Sequence, residues 1–161
     1  MEAARGLRIS TAEALCATVW MVLTTGAFQT GFALHLGADA VLLGLLAGLP
    51  AAVGLLQIPA SIVTARLARR KRFVAVSSLI GRLLWVPILL LPFLGLPKPA
   101  LLFALLLALS SALLTVTVPA WTAWMSDLVP ADSRGRYFGH RNMLAGVIAL
   151  VVPLPAGWLL D

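Results

Sequence analysis

The chain has 161 residues, 61% hydrophobic and 11% charged, with a formal net charge of +6. A soluble domain cannot bury so large an apolar fraction, because its exterior must be wetted by polar groups; the composition excludes a water-soluble globule and makes the lipid bilayer the solvent. The cationic excess does not indicate nucleic acid, because the basic residues collect in alternate connections between apolar runs.

The N-terminal decapeptide MEAARGLRIS has the basic character of a signal-peptide n-region. The apolar run after it, 14–36, is longer than the core of a cleaved signal and long enough to span, so it reads as a retained first helix. Four more apolar runs follow at 41–65, 73–95, 99–125 and 142–160. Each approaches or exceeds the ~20 residues a helix needs to cross a bilayer. Open strands would leave backbone groups unpaired in lipid, so the expectation is an all-α polytopic membrane protein with five transmembrane helices in one bundle.

Along the first span, Thr18, Thr25 and Gln29 fall on one helical face. The second carries Gln57, Ser61 and Thr64 on a face, and Gly44 and Gly48 as a small-xxx-small pair that predicts close packing by another helix. The third contains Arg82, ten residues past Arg72 and so roughly 15 Å along the axis. A charge at that depth is a candidate functional group, with snorkelling and a structural role as the alternative; Ser78 and Trp85 share its face. In the fourth span Ser110, Thr117, Trp121 and Trp124 align, and Trp124 reads as an interfacial anchor. Prolines interrupt the second to fifth spans, which membrane helices tolerate because neighbouring groups re-satisfy the freed carbonyls.

Sidedness follows from the basic residues. Arg5 and Arg8, then Arg66, Arg69, Arg70, Lys71 and Arg72, then Arg134, Arg136 and Arg141 occupy the N-terminus, the second-to-third connection and the fourth-to-fifth connection; the opposite side holds Lys98 alone. This predicts a cytoplasmic N-terminus in a plasma membrane, the bacterial inner membrane being the expected setting. No carboxylate falls inside a span, and His35 stands near the outer end of the first. The single cysteine, Cys16, cannot form an intrachain disulfide. Serine-hydrolase, metalloprotease and phosphate-loop motifs are missing, as is any metal-ligand spacing, so no enzyme activity, catalytic residue, metal or cofactor is expected. The expected partners are lipid and a small-molecule substrate, not nucleic acid.

Two connections carry a resemblance. Residues 61–71, SIVTARLARRK, resemble the major facilitator superfamily signature Gly-x3-Asp-Arg-x-Gly-x-Arg-Arg between helices two and three. Arg66, Arg70 and Lys71 fall on its basic positions, whereas Ser61, Ala65 and Ala68 stand where it has glycine, aspartate and glycine. The stretch VPADSRGRYFGHRN resembles the superfamily's fourth-to-fifth connection, where a proline ends one helix and an Arg-Gly pair precedes the next. Pro130 suits the helix end, Asp132 or Ser133 a cap, and Gly135, between Arg134 and Arg136, a tight turn.

The resemblance implies a secondary transporter moving a small solute by alternating access. It also implies that the loop cations Arg66, Arg69 and Arg70 latch onto an acid at the inner end of the fourth helix. Asp127 holds that place; pairing with Arg66 or Arg69 is the expectation, an exposed interfacial acid the alternative. Because the family's first and fourth helices line the solute path, Thr25, Gln29, Thr117 and Trp121 become cavity candidates, with plain interhelical hydrogen bonding as the alternative. Five spans amount to an incomplete six-helix N-terminal half, and the second half is absent. The expectation is therefore a truncated chain not competent for transport alone, or else a homo-oligomer that completes a path. A small accessory or assembly subunit would share the composition and sidedness, and the loop resemblance is what favours the transporter.

Overall fold

The computed structural model describes residues 2–67 and 69–158. The last two positions of the predicted fifth span, Ala68 of the loop motif and the side chains of Arg5 and Arg8 lie outside the described residues. Every described element is helical, as expected where lipid offers the backbone no partner. Among the described residues, four helical stretches are long and apolar enough to cross a membrane, and five if the bent pair at the N-terminus is one span. The chain is an all-α polytopic membrane protein.

Each span is a pair of helical segments joined at a break. The first consists of α1 (Glu2–Thr24) and α2 (Gly26–His35), bent by 41°. The second is α3 (Ala40–Gly54) and α4 (Gln57–Ala65). The third is α5 (Arg70–Leu83) and α6 (Trp85–Leu90), ending in a 3-10 turn at Leu91–Phe93. The fourth is α7 (Pro99–Thr115) and α8 (Val118–Leu128), and the fifth α9 (Arg134–Val151) and α10 (Pro153–Trp158).

Four of these breaks have one cause. A proline lacks an N–H and its ring crowds the carbonyl four residues earlier. Pro59, Pro87, Pro119 and Pro155 act on positions 55, 83, 115 and 151, where the helices break or end. Proline is not sufficient, since Pro50 lies inside α3 without ending it. The first break has another origin: Gly26 adopts a left-handed φ of 62°. Thr24 and Thr25 return their hydroxyls to Trp20 (2.7 Å) and Met21 (2.7 Å), satisfying carbonyls near the break. Nothing lies within 4 Å of a Cβ built on Gly26, so alanine there meets only backbone strain. Gly26→Ala is expected to destabilise by about 1–2 kcal/mol in reversible unfolding in mixed micelles, and Gly26→Asn by less.

The helices reach further than the apolar runs on the basic side. α1 begins at Glu2, not near position 14, and α9 at Arg134, not near 142. Hydropathy marks the immersed part of a helix, while backbone hydrogen bonding continues into the headgroup region.

The chain divides into two compact units: Gly31–Met125, and the residues up to Thr30 together with those from Ser126. In the former, α3, α5 and α6 pack on α7. Its core comprises Ala33, Leu36, Leu46, Ile88, Leu91, Ala100, Phe103 and Leu107. Phe103 is fully buried and meets Phe32 edge-on, with centroids 5.3 Å apart, the geometry ring quadrupoles favour. α5 approaches α7 closely at Gly81, whose carbonyl accepts the Ser110 hydroxyl at 2.7 Å. In the other unit α1 packs on α9 and α10. The Tyr137 hydroxyl donates to the Leu7 carbonyl at 3.3 Å, tying the extension of α1 to the start of α9.

Among the described residues, no helix packs closely on Gly44 and Gly48. Both are exposed, with nothing within 4 Å of an added Cβ. The close approach falls instead at Gly81, whose added Cβ would stand 3.1 Å from Leu114 Cγ.

Candidate functional site

The breaks place the cavity candidates. Thr25 sits at the α1–α2 break, exposed, with its hydroxyl on Met21. Gln29, one turn on in α2, is half-buried. Thr117 sits at the α7–α8 break, 6% exposed, its hydroxyl 2.6 Å from the Leu114 carbonyl. Its own carbonyl accepts the backbone N–H of Trp121, a half-buried residue of α8. The other breaks carry Leu55 and Leu56, Leu84 and Val152. Thr25 and Thr117 thus stand in the breaks of the first and fourth spans, while Gln57 directly follows the break of the second and Arg82 lies two residues before that of the third. Both hydroxyls donate to their own helix, not across to another, and keep oxygen lone pairs to accept with.

The basic connection between the second and third spans is built from its own side chains. The Arg70 guanidinium donates to the Ala65 carbonyl at 3.1 Å, capping α4. The Lys71 ammonium stands 5.3 Å from the centroid of Trp124, within cation–π range; the expected interfacial anchor has a cationic partner. Arg66 and Arg69 are exposed, as is Asp127 in the last turn of α8. Asp127 belongs to the unit that includes Ser126 onward and the arginines to the Gly31–Met125 unit.

Between the fourth and fifth spans, the reversal is complete before the Arg-Gly pair. A 3-10 turn at Ala131–Ser133 makes it, and Arg134, Gly135 and Arg136 form the first turn of α9. Gly135 takes no left-handed conformation, so the turn it was expected to make is made upstream. Ser133 occupies the N-cap position without a side-chain capping bond; its hydroxyl donates to Pro130 instead. Arg134 has a role that orientation alone did not suggest. Its guanidinium donates to the carbonyls of Ser126 (2.7 Å) and Val129 (3.3 Å) at the end of α8, where the helix dipole favours a cation. Arg134→Ala is expected to destabilise by about 1–2 kcal/mol, with Arg134→Lys recovering part, measured by unfolding in mixed micelles.

Arg82 lies in the last turn of α5, half-buried and near the middle of the Arg70–Phe93 span. At the far end of the Gly31–Met125 unit, a cavity of about 150 Å³ is lined by His35, Leu36, Leu91, Pro92, Gly95, Leu96 and Pro99. None of the cavity candidates lines it. Among the described residues, no cluster of His, Cys, Asp or Glu could hold a metal ion.

The family model for the Major Facilitator Superfamily matches residues 9–161. The chain belongs to the major facilitator superfamily. A search of curated proteins and one of solved structures each returned no match. Membership makes this chain a transporter-type membrane protein.

Proposed function

We propose that the chain is part of a secondary transporter of the major facilitator superfamily that moves a small solute by alternating access. Thr25 and Gln29 of the first helix and Thr117 and Trp121 of the fourth line its path. The observation that carries this reading is a threonine within the break itself in these two spans, where the breaks of the other three hold leucine or valine. The two threonine hydroxyls, whose protons go to their own helices, keep oxygen lone pairs with which to accept from a polar solute. The basic connections face the cytoplasm of a bacterial inner membrane, as ten of the twelve Lys and Arg residues favour.

Single cysteines at 25, 29, 117 and 121, introduced into a Cys16→Ser background, test the path. Each should react with a membrane-impermeant maleimide in intact membranes. Cysteines at Leu105 and Val147, exposed on apolar span surfaces, should not. Path positions that label no faster than these two controls would exclude the reading.

Asp127 completes the proposal as the counter-charge that Arg66 or Arg69 meets when the inner side of the path closes, with Arg70 holding the loop in shape. Asp127→Asn is expected to raise cytoplasmic labelling of the cysteine at 117 several-fold. An unchanged rate would remove the latch and leave the path standing.

A further inference from the structure

The connection between the second and third spans has five cations within residues 66–72, and the structure uses only some of them internally. Arg70 caps α4 through the Ala65 carbonyl, and Lys71 lies against the Trp124 ring. Those two contacts hold the ends of the connection, and Arg66, Arg69 and Arg72 are left exposed. They recur every third residue at the point where one apolar helix ends, at Ala65, and the next begins, at Arg70. Two membrane-crossing segments, Ala40–Ala65 and Arg70–Phe93, meet there, which sets these guanidinium groups at the level of the phospholipid headgroups. Phosphatidylcholine cancels its phosphate charge with its own ammonium, whereas an anionic phospholipid leaves that charge to be met by clustered cations.

We infer that Arg66, Arg69 and Arg72 form a platform that binds the headgroups of anionic phospholipids in preference to zwitterionic ones. The platform does not depend on the transport reading. If the latch forms, it takes one arginine, Arg66 or Arg69, and leaves Arg72 and the other on the lipid. A platform held at both ends by its own side chains loses less conformational freedom on binding than a mobile basic tail would.

The test uses the purified chain in uncharged detergent, titrated with palmitoyl-oleoyl phosphatidylglycerol or palmitoyl-oleoyl phosphatidylcholine. Lipid retention is read by native mass spectrometry and stabilisation by thermal unfolding. Phosphatidylglycerol is expected to bind about tenfold tighter or more, the preference shrinking as salt rises above about 100 mM. R66Q/R69Q/R72Q should lose up to roughly fivefold per arginine in phosphatidylglycerol affinity. Its phosphatidylcholine affinity and lipid-free unfolding midpoint should not move, because the three side chains are exposed. R66K/R69K/R72K should keep most of the preference. Equal affinity of the wild-type chain for both lipids would overturn the inference, as would a preference that survives in the glutamine variant. Equal stabilisation by inorganic phosphate alone would assign the arginines to a free anion and likewise overturn it.

Discussion

Phe103→Ala is expected to lower the unfolding free energy of the Gly31–Met125 unit by about 2–3 kcal/mol. Phe103 is fully buried in the core of that unit and edge-on to Phe32. Aqueous transfer energies overstate such a loss, because the separated helices would still lie in lipid and a ring moved into lipid gains little from the hydrophobic effect. What remains is packing: the ring's contact with Phe32 and its place in the buried cluster vanish, and the packed helices close only part of the void. The estimate therefore sits at or below the low end of the range for soluble cores. Phe103→Leu keeps most of the volume and should lose about 1 kcal/mol. Reversible unfolding in mixed micelles, followed by tryptophan fluorescence, measures both. A loss under about 0.5 kcal/mol for the alanine variant would mean that the core relaxes around the gap.

Lipid solvation explains which parts of this molecule the sequence could announce. Apolar runs must be helical in a bilayer, and basic connections must stay out of it, so fold class and span order were legible from 14–36 through 99–125. The breaks were only half legible. Pro59, Pro87, Pro119 and Pro155 stand out in the chain, but Pro50 looks the same and leaves α3 intact. Whether a proline breaks a helix depends on what can satisfy the freed carbonyl, and that is tertiary information. Glycines misled for a related reason. Gly44 and Gly48 have the spacing of a packing motif and are exposed, whereas Gly81, which has the same spacing to Ser77, is where two helices touch. Spacing states which residues share a face of a helix and not which helix that face meets.

The candidate residues were legible to the same degree. Thr25 and Thr117 could be picked out as polar residues on helical faces, but their position at the two breaks was visible only once the breaks were placed. Arg134 counted as one more orienting cation in the sequence, and its two hydrogen bonds to the end of α8 come from a reversal tighter than the apolar runs implied. A proline followed four residues later by an arginine, as Pro130 is by Arg134, is too common a pattern to have revealed it.

The second large effect is expected at Gly81. A Cβ there would lie 3.1 and 3.2 Å from Leu114 Cγ and Cδ2, and 3.3 Å from the Ser110 carbonyl oxygen. Leu114 can turn aside for a single methyl, so Gly81→Ala should lose only about 1 kcal/mol. Gly81→Val cannot be accommodated in that way, because its branched carbons stay close to the α7 backbone and a valine in a helix has one strongly preferred rotamer. The helices must separate, and separation breaks the Ser110 hydroxyl bond to the Gly81 carbonyl as well. Overpacking and the lost bond together are expected to destabilise by about 2–4 kcal/mol. Ser110→Ala removes the bond without the crowding and should lose about 1 kcal/mol. If steric separation already breaks the bond, adding Ser110→Ala to Gly81→Val should change almost nothing further, since residues in direct contact do not act additively. Full additivity in the double variant would show that α5 and α7 absorb the valine without parting.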